Sequence, residues 1–170
     1  MAHPLVDQLR FTRSEFTRGL RGLDEAAARR RLEPMNCISW NVGHLAWQEQ
    51  QYFVTWPTGR RPFPDIDREF VSGGPPSSPP LERVLAAWTA ITAEADAWLE
   101  RVTSDVLESH VVSGGRQIQR RHGDLLQRVI YHYWFHIGEN AAIRQMLGHD
   151  RLPQFVGSID RKAPYRPDRA

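Results

Sequence analysis

Cysteine is almost absent: Cys37 is the only one in 170 residues, which excludes an internal disulfide and any cysteine-based zinc cluster. Lysine is equally scarce, with Lys162 alone among 22 basic residues. Arginine supplies the rest, a bias that a GC-rich genome explains as well as any function. The formal net charge of +2 is too small to argue for a nucleic-acid or membrane partner. No apolar stretch approaches the length of a membrane span, and the opening MAHPLVDQLRFTR lacks the apolar run of a secretory leader. The expectation is a cytoplasmic protein. No internal repeat is visible.

What is present is the material of one packed domain. Hydrophobic residues make up 41% and six tryptophans are available to fill a core, and a chain of this length can bury one. Leu5, Leu9, Thr12, Phe16 and Leu20 mark one face of a first helix, with Gly22 just past its end. Asp24 is placed to cap the short piece EAAARRR. Ser39 is the expected cap of a second long helix that runs to about Trp56, before Pro57. Residues 57–80 hold seven of the twelve prolines and read as a long irregular crossover. The stripe Leu81, Val84, Leu85, Trp88, Ile91, Ala95, Trp98, Leu99 and Val102 predicts a third helix. HVVSGGRQIQ has the form of a short hairpin around Ser113-Gly114-Gly115. A fourth helix is expected over Asp124–Leu147, closed by Gly148. Four amphipathic helices with one long crossover predict an all-α, four-helix-bundle domain over 1–157, followed by a loose polar tail over 158–170.

The fourth helix carries the chemistry. His132 and His136 stand four apart, so both side chains project from one side, roughly 6 Å apart along the axis. Seven histidines in this length give roughly 0.3 such pairs by chance, and two imidazoles are only half a metal site. A bundle buries its sites between facing helices, so a third ligand belongs on another inward face. His44 is the candidate, in ISWNVGHLAWQEQ between Trp40 and Trp47. His3 lies at a terminus, His110 and His122 around the hairpin, and His149 beyond a helix end. Three neutral imidazoles leave coordination positions open, as a catalytic site requires.

SWNVGHLAW, followed some 85 residues later by YHYWFHIGENAAIRQMLGH, resembles the DinB/YfiT-like superfamily of metal-binding bundles. The resemblance implies an up-down-down-up four-helix bundle with metal ligands at His44, His132 and His136. It also implies a divalent ion (zinc, nickel or iron) and frequent homodimers. Characterised relatives include transferases and isomerases that use low-molecular-weight thiols, and the first domain of sulfoxide synthases. With no second domain expected here, the isomerase and sulfoxide-synthase activities are disfavoured. The remaining classes are a metal-dependent thiol transferase or hydrolase acting on a small molecule, and a non-catalytic metal-binding or stress-related bundle.

Other residues keep two readings each. Asn41 and Gln48, one turn either side of His44, line a substrate pocket or lie on an exposed face, as does Gln51. Glu139, one turn past His136, is a fourth ligand, an acceptor behind one of the ligands or a general base; an ion pair is the simpler reading. Arg128 holds a substrate carboxylate or makes a structural salt bridge. Arg116, Arg120 and Arg121 read as a solvated loop, and Cys37 as an inert, half-buried thiol. Gly43 and Gly138 predict close packing against their helices. The tryptophans, Phe155 and Val156 read as core and interface, and the LPQFVG run over 152–157 predicts part of a homodimer contact.

Overall fold

The computed structural model describes residues 2–154 and 156–167. It is mostly helical, with one two-stranded sheet among the described residues. α1 spans Pro4–Gly19, with Pro4 in its first turn and His3 Nδ1 accepting from Leu5 N–H at 3.1 Å. Gly22, at φ +68°, turns the chain away. Asp24 caps α2 (Glu25–Arg29) as expected, its carboxylate accepting from Ala27 N–H at 2.7 Å.

The second long helix starts earlier than Ser39. Cys37 is the N-cap of α3 (Ile38–Glu49), and Ser39 lies fully buried in its first turn. Cys37 itself is fully rather than half buried, 3.3 Å from Ser39 Oγ. After Glu49 the same helix loosens into a π-helical stretch, Gln50–Thr55, and ends in α4 (Trp56–Thr58) at Gly59, φ +73°. The crossover that follows is not irregular throughout. Pro64 starts a short helix, α5 (Pro64–Glu69), with Asp65 and Asp67 in its first turn, where the helix dipole favours acid. Gln50 pins it down: its Nε2 donates to Phe63 O at 3.0 Å and to Asp67 Oδ1 at 2.9 Å, while its Oε1 accepts from Phe63 N–H at 3.0 Å.

α6 (Leu81–Leu99) begins with Leu81 N–H bound to the Glu25 carboxylate of α2 at 3.0 Å. A short α7 (Ser104–Glu108) leads into the hairpin β1 (His110–Ser113) and β2 (Arg116–Arg121), paired antiparallel. Gly114 and Gly115 form its turn with φ of +57° and +74°, the positive pair that a tight hairpin needs. α8 runs His122–Met146, two residues ahead of the expected start. Asp124 is a third-position residue whose carboxylate reaches back to Arg121 N–H. Gly148, φ +85°, closes the helix.

α3 packs on α6, α1 packs on α8, and α3 also touches α8. Between them Phe16, Phe53, Leu45, Ile91, Leu126 and Tyr133 are almost wholly buried, each such side chain contributing about 1.5–3 kcal/mol. A polar chain crosses this core and ties all four long helices together. Arg13 Nε and Nη2 donate to Glu49 Oε1 and Oε2 at 2.7 and 2.5 Å, and its Nη1 donates to Asp96 Oδ1 at 2.8 Å. Tyr133 Oη donates to Glu49 Oε1 at 2.9 Å and accepts from Trp88 Nε1 at 2.6 Å. Burial alone would lower the Arg13 pKa, but Glu49 outweighs it and raises it; burial and then Glu49 hold Tyr133 protonated. The C-terminal part of the chain is less loose than its composition suggests. α9 (Ile159–Lys162) brings Ala163 against α1, where Gln8 Nε2 donates to Ala163 O at 2.8 Å. Of the expected interface residues, Val156 is exposed and Phe155 lies outside the described residues.

Candidate metal centre

His44 enters from α3, and His132 and His136 from α8, one turn apart. The His44 ring lies between two indoles, stacked on Trp40 at 4.8 Å and on Trp47 at 5.3 Å between centroids. These are the tryptophans one turn away on the same helix, so the local sequence itself fixes the ring. Each imidazole then spends its Nδ1 on an oxygen. His44 Nδ1 donates to Phe70 O at 2.7 Å, His132 Nδ1 to Gln48 Oε1 at 2.8 Å, and His136 Nδ1 to Glu139 Oε2 at 2.7 Å.

That pattern sets the tautomers. With Nδ1–H facing an acceptor, each neutral ring carries its lone pair on Nε2. One nitrogen from each of the three rings lies within 4.8 Å of the other two, and the Nε2 atoms of His132 and His136 are 3.0 Å apart. Two nitrogen lone pairs at that distance repel unless a proton or a cation joins them. Burial, then the neighbouring charges of His136, His44 and Arg128, pushes the His132 pKa down to about 3, and burial lowers that of His44. A proton is therefore a poor third party. A convergent all-nitrogen set with an acceptor behind every ring fits a divalent transition metal.

The supporting residues come from several places. Gln48 follows His44 by one turn and reaches across to His132, so α3 supplies one ring of the cluster and the hydrogen-bond partner of another. Glu139 does the same within α8. Asn41 is fully buried behind the site; its Nδ2 donates to Glu139 Oε2 at 2.9 Å and to Asn140 Oδ1 at 2.8 Å. It does not line the cleft described below. Phe70, at the end of α5, was invisible as a site residue because it acts through its carbonyl. Its ring lies where a Cβ on Gly43 would come within 2.6 Å. Gly43 is thus the close approach expected, and it lets Phe70 sit on α3 and hold His44. Gly138 is not: among the described residues, nothing beyond its own stretch of helix lies within 4 Å of where its Cβ would be.

The other side of the cluster opens to solvent. A cleft of about 800 Å³ is lined by His44 and His132 together with Trp47, Gln48, Tyr52 and Arg128. Arg128 has no ion-pair partner among the described residues, so the structural salt bridge is not formed, and its charge is felt at His132. Arg120, read as part of a solvated loop, is carried by β2 to the same cleft.

Residues 8–139 match the DinB superfamily, and the chain belongs to it. No curated protein matches the sequence.

Proposed function

We propose that this chain is a divalent-metal-dependent enzyme, of the thiol transferase or hydrolase type, built on the up-down-down-up four-helix bundle of its superfamily. The observation that carries the reading is the convergence of three oriented imidazoles at the head of an open cleft. A site meant only to hold an ion has no need of such a mouth. His44, His132 and His136 would hold the ion; zinc, nickel and iron all suit nitrogen ligands. When bound, it supplies Lewis acidity that makes a thiol or water a nucleophile near neutral pH. Gln48 and Glu139 fix the rings, and Asn41 steadies Glu139. Gln48 also faces the cleft, where it and Arg128 can contact a substrate.

The test is metal analysis of purified protein, then activity with low-molecular-weight thiols and hydrolysable esters before and after chelation and reloading. Turnover should vanish with the metal and return with it. A metal-loaded protein without turnover on either class would leave only a binding role. Glu139→Gln is expected to weaken metal affinity about tenfold, as loss of a ligand's supporting charge does. Unchanged affinity with lost turnover would make Glu139 the proton-handling group instead.

The same reading includes a homodimer, and the structure suggests a face for it. Tyr131, Phe135, Gly138, Ala142 and Met146 form one stripe on α8. Tyr131, Phe135 and Met146 are each about two-thirds exposed, and the space over Gly138 is empty. The stripe starts at the edge of the cleft, at Tyr131, so a second copy there would wall the cleft's open side. Phe135→Asp should convert the dimer to a monomer in sedimentation experiments. A wild-type protein that is monomeric across the accessible concentration range would overturn this.

A further inference from the structure

The cleft has a charge pattern that the metal reading does not use. Arg120 from β2 and Arg128 from α8 both line it, and neither has a carboxylate within ion-pair distance among the described residues. Asp124 is the one acid in the lining, and its carboxylate is engaged with the Arg121 N–H at the start of α8. The lining around the imidazoles adds no further negative charge: His44, His132 and Gln48 are neutral, and Glu139, bound to His136 Nδ1, is not among the residues that line the cleft. Flat apolar surface is also present. Trp47, already stacked on His44, Tyr52 and the exposed ring of Tyr131 face the same space. Exposed arginines with no protein partner beside aromatic rings form a receptor for an oxyanion carried on a flat, unsaturated body.

We propose that the cleft selects small organic oxyanions, with Arg120 and Arg128 on the carboxylate or phosphate and Trp47 and Tyr131 against the flat part of the molecule. This rests on the reading of the cleft as the mouth of the metal site and names the substrate class that would fill it. It also assigns the hairpin a role, since β2 is the only strand that delivers a side chain to the cleft among the described residues.

The test uses three probes of similar size: trans-cinnamate, phenyl phosphate and the neutral cinnamamide. Binding is followed by the indole N–H resonance of Trp47, assigned with Trp47→Phe, in chelated and in zinc-loaded protein. At low salt at least one of the two anions should bind about tenfold or more tightly than cinnamamide, and the preference should shrink as salt rises. Whichever anion binds more tightly identifies the oxyanion, and either order agrees with the proposal. In an Arg120→Gln, Arg128→Gln double variant the preference should fall to about one, while zinc affinity does not fall, since removing the Arg128 charge beside His132 can only favour a cation there. The chelated arm tests the arginines alone, so a protein that takes no zinc but still prefers anions would defeat the catalytic reading and leave this one standing. Equal affinity for all three probes in both arms, or a Trp47 resonance that none of them moves, would overturn it.

Discussion

Replacing His132 with alanine is expected to abolish metal binding and the stability that the metal confers. In the wild type, metal at roughly a thousandfold excess over its Kd should stabilise the native state by about 4 kcal/mol, raising the melting temperature by roughly 10 °C for a chain of this size. His132→Ala removes one of three nitrogens and should lower affinity by more than about a hundredfold, beyond what loss of a supporting residue brings. Its melting temperature should then be the same with and without chelator. A variant that still melts higher with metal would mean that His132 is not a ligand. Metal-free protein offers a second check, through pH. The folded-state pKa of His132, about 3, lies below its ordinary 6.5, so the unfolded chain takes up the proton first. Stability present above pH 6.5 should be lost progressively as pH falls from there toward 3. His132→Ala should flatten part of that slope in chelated samples.

The three clustered histidines were legible on different grounds. His132 and His136, an i, i+4 pair, must share a helix face, whereas His44 was reached by setting aside the other histidines and by the family resemblance; the stacking of Trp40 and Trp47 on its ring adds a physical reason. The second layer was legible only in part. Gln48 and Glu139 were marked by their spacing from His44 and His136, but spacing could not say which ring each would serve. Phe70 left no trace, because a backbone carbonyl has no residue type. Cys37 and Ser39 lie two residues apart, each directly before a plausible helix start, and only the extended backbone of Cys37 decides between them. The prolines of the crossover hid α5, since Pro64 at a first helical position is as much a start signal as a break. Gly138 failed in the other direction: a glycine in mid-helix announces close approach, but none of the described residues makes it.

Glu49 is the largest omission, and it carries the second large effect. As one polar residue among the helix-face positions of a sequence it looks unremarkable; only its partners on α1 and α8 show that it is fully buried and paired. It follows Gln48, and its acceptor oxygen meets Tyr133, which follows His132. The network therefore joins the same two helices that present the histidine cluster, one residue along from Gln48 and His132. Removing one partner of a buried ion pair strands the other, at a cost of about 3–5 kcal/mol. Glu49→Leu should thus lower the urea-unfolding free energy by that amount. Replacing both partners, as Arg13→Met with Glu49→Leu, should recover most of the loss, because no charge is left buried without its counterpart. If the single variant lies within about 1 kcal/mol of the wild type, the chain from Arg13 to Tyr133 contributes shape but little stability.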